Sequence, residues 1–297
     1  MKQFLAWKWS RTRVLCFIFC VLSAMNISCG TDRMDLQESL NNRAFLFRLS
    51  EIEQEVSENC AKIISDRSET KEVSAKTKEV LAIEQIREMD AGSVLDISQI
   101  EGSQTDLLFY SEEPGAEVQQ RIMGISYQEN DNISIGELRY LRVLYVGFDG
   151  QTHIGELLVN QSIAEDVLEI MAELYENGYA IEKMALVDDY GADDEQSMED
   201  NNTSAFNYRE IAGTSRMSRH SLGLAIDINP RYNPYIKRKN NGETVISPVN
   251  GAEYADRSRE FAHKIDENDL CYRLFTEHGF TWGGSWNSVK DYQHFEK

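Results

Sequence analysis

The chain opens with an apolar block, passes through a long polar stretch, and only then takes on the alternations and stripes of a folded domain. Val14–Met25 is almost wholly apolar and follows a basic start, Lys2, Lys8, Arg11 and Arg13, that contains no acid. A basic stretch followed by a short apolar run has the form of an export signal. The run falls short of the ~20 apolar residues of a comfortable transmembrane helix, although an uncleaved, tilted anchor is the alternative. From Asp32 to Ile97 the chain is polar, with Leu36, Leu40, Phe47, Ile52 and Val56 at loose helical spacing. That pattern predicts a helical spacer, with a partly disordered linker equally compatible.

A compact domain is expected from near Leu107. Leu138–Phe148 and Thr152–Val159 read as strands, and Asp149-Gly150 between them is a hairpin signal. Ser162 and Glu165 form a capping box, Ile163, Val167, Ile170, Met171 and Leu174 fall on one helical face, and Gly178 ends the helix. Ile181–Val187 reads as a strand and is followed by an acidic loop, Asp188–Asp200. A second helix is predicted from Asp266, as its cap, to His278, with Gly279 stopping it. Strands and helices segregate rather than alternate, so the fold class is α+β: an antiparallel sheet with flanking helices. The expected organisation is a signal over 1–29, a helical or disordered spacer over 30–100, and a domain over 101–297.

Composition narrows the partners. The net charge is −20, and the first 29 residues carry only positive charge, so the remainder is nearer −24. Nucleic acid needs a basic face and is excluded as a partner. The one basic cluster, Lys237-Arg238-Lys239, reads as a solvated loop among Asn and Gly. Ile27-Ser28-Cys29 resembles a bacterial lipoprotein processing site, which would make Cys29 the point of lipid attachment, although Asn26 departs from the Leu that pattern prefers. Such a lipid tethers a protein to a membrane surface without spanning it. The expected location is therefore the bacterial cell envelope, outside the cytoplasm. Cys60 and Cys271 make no disulfide framework, and Cys271 reads as a buried thiol. Ser68-Glu69-Thr70-Lys71 matches S-x-x-K but lies in the charged spacer with no K-T-G partner, so it carries no nucleophile chemistry.

The chemistry concentrates in two segments. In Ser218–Asn229, the apolar strand Leu224–Ile228 is interrupted by a single acid, Asp227. A lone carboxylate in a buried strand is costly unless it is paired or binds metal. His220 lies seven positions earlier, a spacing that on one continuous strand would put it on the opposite face; Gly223 supplies the bend that lets the two converge. The second segment is Trp282-Gly283-Gly284-Ser285-Trp286 followed by Asp291-Tyr292-Gln293-His294. Asp291 and His294 can face one centre across a turn but not along a flat strand. Two His and one Asp suit a catalytic zinc with an open position for water, whose pKa falls to roughly 7 on the metal. A nearby carboxylate, here Asp291, is then placed to move the proton.

Ser-x-His-x-x-Gly-x-Ala-x-Asp, then Trp-Gly-Gly and Asp-x-x-His, resembles the M15 family of zinc D-alanyl-D-alanine carboxypeptidases, which includes VanY-type enzymes and L-alanyl-D-glutamate endolysins. The resemblance runs from about Leu107 onward, and Asn201–Arg209 is similar to a stretch these proteins carry ahead of the zinc motif. It implies one zinc ion on His220, Asp227 and His294, with Asp291 as general base where several relatives have Glu. It further implies Arg209 as a holder of substrate carbonyl or carboxylate oxygen, and Ser218 as a substrate contact or a support for His220. The implied substrate is peptidoglycan stem peptide, and the implied reaction removes a terminal D-alanine. Cleavage within the stem or cross-link is an alternative. So is a non-catalytic zinc-binding module, since Hedgehog signalling domains look similar and serve as binding modules. An ion pair with the acidic loop is the competing reading of Arg209. His153, His263 and His278 read as structural, His263 as exposed, and Trp282 and Trp286 as either core or cleft.

Overall fold

The computed structural model describes residues 81–100, 105–211 and 214–297. The signal, Cys29, Cys60 and the Ser68–Lys71 motif lie outside the described residues. The compact unit that contains the described residues spans Lys78–Lys297.

The fold is α+β. Its largest sheet has four antiparallel strands in the order β1-β4-β3-β2, from Val94–Leu95 (β1), Tyr110–Glu112 (β2), Leu138–Val146 (β3) and Thr152–Asn160 (β4). β3 and β4 form the expected hairpin in continuous register, from Leu138 opposite Asn160 to Val146 opposite Thr152. β1 pairs with β4, and Ile83 and Leu95 are buried against the sheet, so residues 81–100, read from sequence as spacer, pack on the domain. Loose amphipathic spacing looks alike in a linker and in a segment laid across a sheet, which is why sequence alone misplaced this boundary.

Strand alternation gives the sheet two different faces. On one, Leu141, Val143, Leu157 and Val159 meet Val167, Ile170, Met171 and Leu174, which form the stripe of a long helix. On the other, Leu138, Tyr140 and Leu158 meet Val118 and Ile122 of the short helix α1 (Ala116–Ile122). The long helix, α2, is Ala164–Glu176. Ser162 does not cap it: the N-cap is Ile163, with no side-chain cap, and the Ser162 hydroxyl and backbone N–H both donate instead to the side-chain Oδ1 of Asn160. Asn160 closes this turn two residues early, so the predicted capping box does not form.

Between Ile181 and Val187 only Lys183–Met184 (β5) is strand. It pairs in parallel with Asn202–Thr203 (β6) after the helix α3 (Asp194–Glu199), which forms within the acidic segment. The remaining strands are Ala225–Asp227 (β7), Tyr235–Arg238 (β8), Thr244–Ser247 (β9), Thr281–Trp282 (β10), Lys290–Asp291 (β11) and His294–Glu296 (β12). They form two three-stranded antiparallel sheets, β10-β12-β7 and β11-β8-β9. Lys237 and Arg238 are thus exposed strand residues, not loop.

The last helix, α4 (Leu270–Glu277), starts later than expected. Its cap is Asp269, which accepts from Cys271 N, while Asp266 accepts from Asn268 N in the turn before it. α4 sends Cys271, Leu274 and Phe275 into the same core as α2. Phe275 stacks on Phe295 of β12 at 4.3 Å between centroids. His263 is half-buried against Phe148 at 3.7 Å rather than exposed. His153 stacks on Tyr145 and His278 pairs with Asp166, both structural.

Candidate metal centre

β7 and β12 run antiparallel with Ile226 opposite Phe295 and Asp227 opposite His294. Ile226 and Phe295 face the core, so the neighbouring pair faces away from it on one side of the two strands. Directly opposed residues in an antiparallel pair have Cβ atoms ~4.5–5.5 Å apart. The register alone therefore brings the carboxylate and the imidazole together, with His294 Nδ1 at 3.0 Å from Asp227 Oδ1.

His220 arrives from a separate turn. Arg219–Leu222 is one turn of 3-10 helix, capped by Ser218, whose hydroxyl accepts from His220 N at 3.3 Å. Gly223 ends it at φ 65°, in the left-handed region where a Cβ is strained. Its carbonyl accepts from Asn160 N, and a Cβ on Gly223 would lie 2.6 Å from that nitrogen. This turn swings His220 Nε2 to 3.1 Å from His294 Nδ1 and 3.3 Å from Asp227 Oδ2.

The three residues are all buried, and one ligand atom from each lies within 4.8 Å of the others. The outward ring nitrogens have their own partners: His220 Nδ1 faces the Ala205 carbonyl and His294 Nε2 faces Glu296 Oε2 at 3.1 Å. With those nitrogens donating, both inner nitrogens present lone pairs toward the Asp227 carboxylate. Converging lone pairs in a buried place require a positive charge among them, and second partners of this kind are how protein ligands to metals are oriented. The donor set fits one divalent ion of the zinc type.

Without a metal, protons take that place. Burial disfavours the charged form of His294, yet its bonds to Asp227 and Glu296 outweigh this and raise it to about 10. Burial likewise works against the Asp227 anion, but the two imidazoles hold it far below the usual carboxylate range.

Asp291 sits on β11 opposite Tyr235, separated from His294 by a bend, as the three-residue spacing requires. Burial, opposed by His294 and reinforced by the Asp227 charge, raises its carboxyl to about 6. Gly283 explains part of the Trp-Gly-Gly run: a Cβ there would lie 2.6 Å from Asp291 O and 2.8 Å from its Cβ. At Gly284 a Cβ would lie 2.3 Å from the Trp282 ring. Trp282 is core, with Nε1 donating to Tyr292 O, whereas half-exposed Trp286 lies with its ring 5.2 Å from that of His294.

Arg209 is bonded to the His220 turn through its backbone: its N donates to Ser221 Oγ, and its carbonyl accepts from Ser218 N and Ser221 Oγ. Its guanidinium pairs with Asp194 of α3, the acidic-segment ion pair that competed with a substrate role. Arg209 Nε is nonetheless buried without a hydrogen-bond partner among the described residues. Sequence reasoning missed Glu296 and Ala205, the outer partners of the two imidazoles. Glu296 carries a signal, two residues from His294 on one strand face, but a main-chain oxygen such as that of Ala205 carries none.

Two buried imidazoles and a carboxylate thus converge at the meeting of a strand pair and a glycine-ended turn, a donor set that could hold a metal ion. Residues 212–297 match the family model described as D-alanyl-D-alanine carboxypeptidase. The matched segment, less than a third of the chain, supports a peptidase of the M15 type; it contains Ser218, His220, Asp227, Asp291 and His294, and begins after Arg209. No curated protein and no solved structure matches the chain.

Proposed function

We propose that this protein is a zinc-dependent D-alanyl-D-alanine carboxypeptidase acting on peptidoglycan stem peptide in the bacterial cell envelope, to which a lipid on Cys29 tethers it. The observation that carries the reading is the convergence of His220, Asp227 and His294, with each imidazole held from behind by an oxygen. Zinc held by these residues would supply the Lewis acidity that makes water nucleophilic at neutral pH.

The chain's own residues do the rest. Asp291, half-buried and within the field of the ligand set, takes the proton of the attacking water and delivers it to the leaving amine. Arg209, fixed through its backbone to the His220 turn, holds a carbonyl or carboxylate oxygen of the substrate, a task suited to a guanidinium. Ser218 caps the turn and so positions His220. Trp286 forms an apolar wall beside His294.

The test is to incubate the purified protein with stem pentapeptide ending in D-Ala-D-Ala, with and without chelator, and to read the products by mass spectrometry. Loss of one alanine, stopped by chelator, is expected. A cut within the peptide would make the enzyme an endopeptidase. No cut, with one equivalent of zinc bound, would make it a binding module. For the anchor, Cys29→Ala is expected to move the protein from the membrane fraction to the soluble fraction; a variant that still pellets would exclude lipidation as the tether.

A further inference from the structure

The sheet face away from α2 carries an unexplained interruption. Apolar residues lie at both ends of it, Leu138 and Leu158 in one cluster and Leu144 and Ile154 in another. Between them, Arg142 lies directly opposite Glu156, with Tyr140 beside them. Arg142 is 6% exposed and Glu156 0%. Glu156 accepts two bonds from Arg121, at 2.6 and 2.9 Å, and one from Tyr140 Oη at 2.6 Å. Such a buried ionic network is no more stabilising than well-packed apolar side chains of the same volume. Stability alone therefore gives no reason to place it in the middle of an apolar face.

The network is the floor of an open cleft of about 740 Å³, within the size range of small-molecule sites. The cleft shares no residue with the metal centre. Its guanidiniums are not equivalent. Arg121 is neutralised by Glu156 and Asp189. Arg142 donates to Tyr140 Oη and to the Met89 carbonyl, both uncharged. Arg87 lies 4.3 Å over the Tyr110 ring and donates to the Leu107 carbonyl, and its Nε is buried without a partner. Among the described residues neither Arg87 nor Arg142 makes a contact ion pair, although the Glu112 carboxylate lies within the field of both, and Arg142 also bonds to the Tyr110 side chain. The rim has the opposite sign: Glu88, Asp90, Glu112 and Glu117 are exposed there, and among the described residues no lysine lines the cleft.

We propose that this cleft is a second ligand site, separate from the metal centre, for a zwitterion of amino-acid or dipeptide size. The carboxylate of the ligand sits on Arg142 and Arg87, and its ammonium group sits against the rim carboxylates Glu112 and Glu117. A phosphate or other dianion would meet the acidic rim, and a simple cation would meet the guanidiniums below it. Only a ligand carrying both charges, separated by a few bonds, satisfies the two layers together.

Calorimetric titration of the full chain tests this with alanyl-alanine, propionate and ethylamine, each with and without chelator. The dipeptide is expected to bind at one site whether or not chelator is present, and more tightly than either single-charge probe. Arg142→Gln should weaken it by about tenfold or more, the worth of a charge-assisted hydrogen bond. Because Arg142 also ties down Met89, Glu117→Gln is the second variant: exposed and outside the network, it should weaken the dipeptide severalfold and leave propionate unchanged. The proposal is overturned by no saturable binding, by binding that chelator abolishes, by propionate binding as tightly as the dipeptide, or by a folded Glu117→Gln protein that binds as the parent does.

Discussion

At the scale of the residue, the candidate centre separates groups that hold a metal from groups that orient the holders. His220→Ala removes one of the converging donors, and the purified variant is expected to lose most of its zinc when metal is measured by mass spectrometry. Asp291→Asn keeps every donor; it should bind zinc as the parent does while turnover falls by ~10²–10⁴-fold, the usual contribution of a general base. Glu296→Gln tests the support behind His294. The amide still offers an acceptor but no charge, so zinc affinity should fall by ~10–100-fold, the usual cost of losing such a support. Unchanged affinity in a chelator-competition titration would mean that Glu296 does nothing for the metal.

At the scale of the element, the β7–β12 register and the glycine-ended turn do the positioning. Gly223→Ala puts a methyl in the left-handed region and 2.6 Å from the Asn160 nitrogen. The left-handed conformation alone costs roughly 1–2 kcal/mol, and the clash adds to it. Urea unfolding should show a loss of at least that size, together with weaker zinc binding, because the same turn carries His220. The helix caps make a cleaner comparison. Asp269→Ala should cost at least ~1 kcal/mol, since it loses the N-cap and also the bond accepted from Tyr179 Oη. Asp266→Ala, one turn earlier, removes the bond to Asn268 N and the ion pair with Lys264, both within the preceding loop, and should cost less.

At the scale of the whole molecule, the buried network on the sheet makes stability depend on acid. Burial works against the Glu156 anion, but Arg121 and Tyr140 outweigh this and hold its carboxyl below the ordinary 4.5. A depressed carboxylate contributes stability that is fully present above the unfolded-state value and is lost as pH falls through the folded-state value. Thermal unfolding should therefore show a midpoint that falls as pH drops below about 4.5. In Glu156→Gln that acid-dependent part should shrink, although the variant starts less stable because Arg121 loses its buried partner. Zinc should raise the midpoint of the parent with the logarithm of its excess over the dissociation constant, and chelator should reverse the gain.

The α+β class, the β3–β4 hairpin, α2 and the grouping of His220, Asp227 and His294 were legible in the sequence because each starts from local rules: a period, a turn dipeptide, or an acid in an apolar strand. The site was legible for a further reason. A carboxylate between Ile226 and Ile228 has no low-energy place in a core, so its chemistry had to be found among the other unusual residues nearby. What only the tertiary structure decided lies wherever distant segments compete for the same group. Asn160 took the turn that Ser162 was expected to cap, Asp269 displaced Asp266, and residues 81–100 found a sheet to lie on. Asp194 came to hold Arg209, and a main-chain oxygen at Ala205 came to hold His220. Spacing along the chain records which side chains can meet, whereas the hydrogen bonds actually formed depend on which partner the packed fold brings closest.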